Sequence, residues 1–199
     1  CWLTARWVVD DVSPERDLDV NWRPISLLFK NNPPEGSDYY GPAKFTHDLM
    51  RVMESVRAAA DTPEAGNADV FKLYWEAGSR IHHARNRDFT ATQLLESVGL
   101  DTSHASAFDD ASWDDAIRTG MNAGLALVGN DVGTPIIAID RPDGERAGYF
   151  GPVISKVPPK DQGLAMWDGL VAMMEVDSFF ELKRTRSGGL DFGDRPTTA

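Results

Sequence analysis

The stretch Val132-Gly133-Thr134-Pro135-Ile136-Ile137-Ala138-Ile139-Asp140 decides how the rest of the chain is read. A proline opens a run of β-branched residues. Having no N–H to give a ladder, proline belongs at the first position of a strand or on an edge. The Thr134-Pro135 bond is a candidate cis peptide, because the cis form is inexpensive only before proline. Gly133 just before it suggests a close backbone approach. The run closes at Arg141-Pro142-Asp143-Gly144, a hairpin signal of the Asp-Gly kind. A second strand, Ala147-Gly148-Tyr149-Phe150, follows directly and ends at Gly151-Pro152. A hairpin entered through a proline loop thus sits late in the chain, with a long helical region before it and one helix after it.

Working outward, Cys1 to about Val12 reads as a helix, with Leu3, Trp7 or Val8, and Val12 at helical spacing and Ser13-Pro14 as its stop. Asp17 to Ile25 alternates polar and apolar residues, the period of a half-buried strand. Turn residues make Asn31 to Gly36 a loop. Phe45, Leu49, Val52, Met53 and Val56 then share one helical face, ending before Asp61-Thr62-Pro63. Val70, Leu73, Tyr74, Ala77 and Ile81 form the next stripe, with a cap expected near Asn67. Leu94, Leu95 and Val98 make a short helix closed by a left-handed Gly99. Ser112-Trp113-Asp114-Asp115 has capping-box spacing, and Trp113, Ile117, Met121, Gly124 and Val128 run down one face behind it. After the hairpin, Pro158-Pro159 leads into a last helix with Leu164, Trp167, Val171 and Met174 inward. The Gly-, Asp- and Thr-rich tail from Ser187 reads as disordered.

With 199 residues the chain can bury one sizeable core, or a core plus a large insertion. A formal charge of -11 argues against nucleic acid, whose phosphates call for clustered Lys and Arg. No apolar run approaches a membrane span, so no membrane partner is expected. A single cysteine excludes an internal disulfide framework and fits a reducing cytoplasm, the expected location.

Few residues offer chemistry. At a helix N-terminus the backbone N–H groups and the macrodipole favour a thiolate at Cys1, although a lone structural cysteine is the plainer reading of that residue by itself. A cis bond at Thr134-Pro135 would leave the preceding carbonyl and N–H facing outward, ready to pair with an extended ligand like an added strand. His82 and His83 are adjacent on a helix and diverge, with no further ligand at metal spacing, so no metal is expected. Asp109, Asp110, Asp114 and Asp115 read as a solvated acidic face. Lys183, Arg184 and Arg186 are read as pairing with surface carboxylates. The glycines from Gly129 to Gly133 precede a strand rather than a helix, so they form no phosphate loop.

Taken together, the residues carry a resemblance. Cys1-Trp2-Leu3-Thr4-Ala5-Arg6-Trp7 resembles the segment that follows the second cysteine of a Cys-Pro-Trp-Cys motif in the DsbA-like, mycothiol-dependent reductases (nitroreductases) of actinobacteria. The likeness continues through Ser26-Leu27 to Asn31, Arg80-Ile81-His82, Val128 to Pro135, Phe150-Gly151-Pro152-Val153 and Phe179 to Arg186. It implies a thioredoxin fold, α/β in class, with a large α-helical insertion between the second strand and the cis-Pro strand. Residues 1-37 and 129-186 would form the thioredoxin-like domain, 38-128 the helical subdomain covering Cys1, and 187-199 the tail. That fold has a central strand before the helix, so the chain is expected to continue upstream, with the attacking cysteine three residues before Cys1. Asp17 to Ile25 is then expected to join one sheet with the hairpin.

By the same resemblance Cys1 is the resolving cysteine, and Trp2, Asn31, Thr134 and Pro135 are substrate-binding residues. Without a family, Trp2 reads as core and Asn31 as a turn former. The implied activity is thiol–disulfide oxidoreduction with mycothiol, or a related small thiol, as electron donor and no tightly bound cofactor. Two alternatives stay open. One is a glutathione-dependent isomerase or transferase like the kappa relatives, which share the insertion but use Ser in the motif. The other is a non-catalytic binding module. Partners are the small-molecule thiol and an oxidised substrate; the oligomeric state is left open, a homodimer among the options.

Overall fold

The computed structural model describes residues 1–196. In chain order its first regular elements are α1 (Trp2–Trp7), a π-helical turn (Val8–Val12), α2 (Ser13–Arg16), α3 (Leu27–Asn31), α4 (Tyr40–Ala59) and α5 (Pro63–Gly78). A second π-helical turn (Ser79–His83), α6 (Ala91–Ser97), two 3-10 turns (Thr102–Asp109 and Ala111–Trp113) and α7 (Asp114–Val128) follow. The hairpin β1 (Ile136–Asp140) and β2 (Arg146–Phe150) and the last helix α8 (Lys160–Met174) close the chain. The class is α/β, mostly helical with a small two-stranded sheet. Two compact units result among the described residues: Cys1–Val20 with Gly124–Asp194, and Asn21–Ala123 with Arg195 and Pro196.

The first unit is built on the hairpin. β1 and β2 are antiparallel, with Ile136 opposite Phe150 and Asp140 opposite Arg146. A period of two puts alternate side chains on one face. Ile137 and Ile139, with their cross-strand partners Tyr149 and Ala147, accordingly turn to a single core. Trp7, Val8, Val12, Trp167, Leu170 and Met174 fill that core from the N-terminal helices and α8. Gly144, at φ +87°, closes the expected Asp-Gly turn. Arg16 holds Asp168 of α8 through two bonds of 2.8 and 2.7 Å.

The first helix does not stop at Ser13-Pro14. A π turn carries it into α2, and the backbone N–H of Ser13 bonds the carbonyl of Val8. Pro14 then falls in the first turn of α2, where a missing N–H is tolerated. The chain leaves the helix at Asp17, in the left-handed region at φ 50°. The stretch from Ser187 carries no helix or strand through residue 196. It is nevertheless tied to this unit where Asp191 N–H meets the Ser155 carbonyl at 2.8 Å and Arg6 donates to the Asp194 carbonyl at 2.9 Å.

In the second unit, Leu49, Val52, Met53 and Val56 of α4 meet Val70, Leu73 and Ala77 of α5, with Leu94 and Leu95 of α6 closing the core. The stripes are those the spacing predicts. Two caps are not. Thr62, not Asn67, begins α5, accepting from the Ala65 N–H, with Pro63 in the first turn where its fixed φ suits a helix. Before α7, Asp110 rather than Ser112 accepts a backbone N–H, that of Ser112 itself, and the turn it caps is 3-10.

The larger correction concerns Asp17 to Ile25, which forms no strand and joins no sheet. At Trp22 the backbone is held by side chains instead. Trp22 N–H donates to Asn67 Oδ1 at 2.8 Å, and Arg57 donates to the Trp22 carbonyl at 2.8 Å. The Trp22 ring stacks on Phe71 at 5.6 Å and lies 5.2 Å from Tyr74. Alternation described a segment pinned to a helical face, and polar–apolar alternation alone does not distinguish that from pairing with a strand.

Candidate active site

Cys1 sits at the N-cap of α1, exposed, while Trp2, Leu3, Thr4 and Ala5 behind it are buried. Its Sγ lies 3.3 Å from Thr134 Oγ1 across the first unit. A hydroxyl at that distance can accept from a thiol or donate to a thiolate. The Thr134-Pro135 bond is cis, as the proline loop suggested, and Pro135 is buried. Among the described residues no hydrogen bond engages the Thr134 backbone N–H or carbonyl. Cysteine, threonine hydroxyl and an open backbone edge therefore converge at one place.

A second proline loop, where Gly151-Pro152 ends the second strand, joins this place. Gly151-Pro152 is also cis. Gly151 N–H donates to the Pro135 carbonyl at 2.8 Å, extending the hairpin ladder one step past Ile136 and Phe150. At φ +111° Gly151 occupies a region that side-chain-bearing residues rarely adopt. Thr4 Oγ1 donates to the Pro152 carbonyl at 2.8 Å. Gly133, by contrast, is not forced by crowding: a Cβ there would stand 3.6 Å from the Phe150 ring, an ordinary contact.

Two further residues were expected at the site, Trp2 and Asn31. Trp2 is 3 % exposed and belongs to the interior. Asn31 ends α3 in the second unit, exposed, with its Nδ2 donating to Tyr39 Oη at 3.2 Å. A groove of about 540 Å³ in the second unit is lined by Arg80, Phe89, Gln93 and Glu96 among others; none of the expected site residues lines it. Lys183, Arg184 and Arg186 are exposed, and the ion pairs of the described residues are made elsewhere, against the expected surface pairing. Among the described residues no three His, Cys, Asp or Glu side chains are placed to hold a metal ion, and no helix is long and apolar enough to cross a membrane.

Sequence reading missed a polar network in the second unit. Asp114 is no solvated carboxylate. It takes two bonds from Arg51, at 2.6 and 3.1 Å, and one from His47 Nε2 at 3.1 Å. Because a carboxylate only accepts, Nε2 carries the proton, and Nδ1 of the neutral ring accepts from Ser26 Oγ at 2.9 Å. Ser26 Oγ in turn accepts the Phe29 N–H and caps α3. The composition is that of a Ser–His–Asp triad, but Ser26 is 0 % exposed, so it caps a helix rather than attacking a substrate.

The His47 ring is held below its ordinary pKa by burial, outweighing the attraction of Asp114. A histidine kept neutral by the fold favours folding fully above its unfolded value of about 6.5 and loses that contribution as pH falls through and below it. Denaturant melts should therefore show the second unit losing stability from pH 7 to pH 5. His47→Gln should flatten that slope, and an unchanged slope would remove His47 from the account.

The cluster around Cys1, the proline loops and the helical unit span the same stretch as one family model. That model, described as Rv2466c-like, mycothiol-dependent nitroreductase Rv2466c, matches residues 1–184, and the chain belongs to this family.

Proposed function

We propose that the protein is a thiol–disulfide oxidoreductase of thioredoxin-like, DsbA-like fold that uses mycothiol to reduce disulfides and nitro compounds in a reducing cytoplasm. The observation that carries this reading is Cys1 Sγ at 3.3 Å from Thr134 Oγ1, beside the cis-Pro135 loop. In the dithiol scheme the attacking cysteine stands three residues before Cys1, at the Cys-x-x-Cys spacing. Reducing a substrate by two electrons converts the two thiols to one disulfide. One mycothiol thiolate then attacks that disulfide, forming a mixed disulfide with the attacking cysteine and releasing Cys1 as a thiol. A second mycothiol attacks the mixed disulfide and leaves as oxidised mycothiol, restoring the dithiol. Thr134 offers its backbone N–H and carbonyl to the extended thiol, Pro135 fixes the turn that presents them, and Trp2 supports Cys1 from within. Asn31 is the further substrate-binding residue that the family resemblance implies.

Family membership supports mycothiol as the thiol. The test compares reduction of a nitroaromatic with mycothiol and with glutathione at equal concentration. Turnover at least about tenfold faster with mycothiol is expected, a difference of about 1.4 kcal/mol in transition-state binding. Equal rates with the two thiols would move the glutathione-dependent, kappa-like reading to the front.

A further inference from the structure

The hydrogen bonds around Cys1 close into a ring. Cys1 Sγ meets Thr134 Oγ1 at 3.3 Å, and Thr134 is bonded covalently to Pro135. The Pro135 carbonyl takes the Gly151 N–H at 2.8 Å, and Gly151 is bonded covalently to Pro152. The Pro152 carbonyl takes Thr4 Oγ1 at 2.8 Å. Thr4 lies in the first turn of the helix that Cys1 begins, a turn closed by the Ala5 N–H on the Cys1 carbonyl at 2.9 Å.

We propose that Thr4 is a positioning residue for Cys1, acting through Pro152, Gly151 and Pro135 to hold the Thr134 hydroxyl against the sulfur. A threonine in a helix ordinarily returns its hydroxyl to the carbonyl three or four residues back. Thr4 is 2 % exposed and bonds a carbonyl 148 positions away instead. With Thr4 buried, losing the bond would leave its hydroxyl without a partner in the interior, which favours keeping the link. The ring has two members at the start of the helix, Cys1 and Thr4, and two on each proline loop. Any drift of the loops relative to α1 must therefore break the Thr4 bond or carry Thr134 away from Cys1. The effect on chemistry is indirect: Thr134 touches the sulfur and donates to its thiolate, while Thr4 sets where Thr134 stands.

The inference rests on Cys1 being a working thiol, but its test needs no turnover. The rate of Cys1 alkylation by iodoacetamide at neutral pH, followed at that residue by peptide mapping, reads the thiolate directly. Thr4→Val keeps the shape and removes the hydroxyl; it should slow alkylation of Cys1 about threefold to tenfold, a hydrogen bond to a charged group being at stake. Thr4→Ser should restore the parent rate. Thr134→Val should slow alkylation at least as much, and the double variant Thr4→Val/Thr134→Val no further, because Thr4 has nothing left to act through. If Thr4→Val does not fold, Thr4→Ala carries the same expectation without added bulk. An unchanged rate in the folded Thr4 variant, or full additivity in the double, would overturn the proposal. The mycothiol reading stands or falls separately, on the comparison of thiols.

Discussion

With Cys1 replaced by serine, the protein is expected to hold on to a small thiol it should release. In the proposed dithiol scheme, an attacking cysteine at the Cys-x-x-Cys position before Cys1 would open oxidised mycothiol on exposure to it. It keeps one mycothiol as a mixed disulfide and sets the other free. In the parent, the same scheme has Cys1 attack the protein sulfur of the mixed disulfide, form the internal disulfide and expel the bound mycothiol as thiolate. Serine has no nucleophile of comparable strength at neutral pH, so the adduct persists. Intact-mass measurement reads it directly as a gain of one mycothiol, absent from the parent under the same conditions. Turnover in the reductase assay should drop about a hundredfold or more, as when a member of a catalytic set is removed. A Cys1→Ser protein that gains no thiol-sized mass and turns over as fast as the parent would exclude the dithiol scheme.

Much of the architecture on which that experiment depends is legible in the residues. The proline-led β-branched run, the Asp-Gly turn and the second strand are local signals, and each lies where the structure has it. The helical stripes of α4, α5 and α6 are local as well, since a 3.6-residue period needs no knowledge of the partner. Asp17 to Ile25 was misread because alternation records only that one side of a segment is covered. Here the cover is Asn67, Arg57, Phe71 and Tyr74 of one helical unit, not a strand. Which of the two covers a segment is a long-range fact, and no pattern within the segment holds it.

The site divides in the same way. Cys1 and Thr134-Pro135 stood out because cysteine is rare and proline is restrictive, and the structure brings them together at 3.3 Å. Thr4 and Gly151 were passed over. A threonine on the buried side of a helix looks like any β-branched core residue until the carbonyl it meets is known. Gly151 carried one usable signal, since glycine before proline at a strand end marks a turn, yet only its φ of +111° shows that a side-chain-bearing residue there would be strained. The Ser26–His47–Asp114 line was invisible for a plainer reason: its members are spread over α4, the start of α7 and the cap of α3, and nothing local joins them.

The second large effect is expected at Trp7. Its side chain is fully buried, set edge-to-face against Trp167 with ring centroids 5.9 Å apart, and surrounded by Val8, Val12, Leu170 and Met174. It ties the helix that begins at Cys1 to α8. Gly163 permits that approach, because a Cβ there would lie 2.7 Å from Trp7 Nε1. Truncation to alanine removes an entire indole from a packed core, and such changes cost about 3–5 kcal/mol, from lost transfer energy plus an unfilled cavity. Set against a total stability of about 5–15 kcal/mol, that loss should leave the first unit marginal. Trp7→Phe should cost much less. It keeps a ring against Trp167 and removes Nε1, a buried N–H that has no hydrogen-bond partner among the described residues and is therefore a penalty in the parent. Urea melts of the three proteins, followed by the far-ultraviolet signal, give the comparison. The expected order is parent close to Trp7→Phe and both well above Trp7→Ala. An alanine variant within about 1 kcal/mol of the parent would mean that the helix carrying Cys1 is anchored elsewhere.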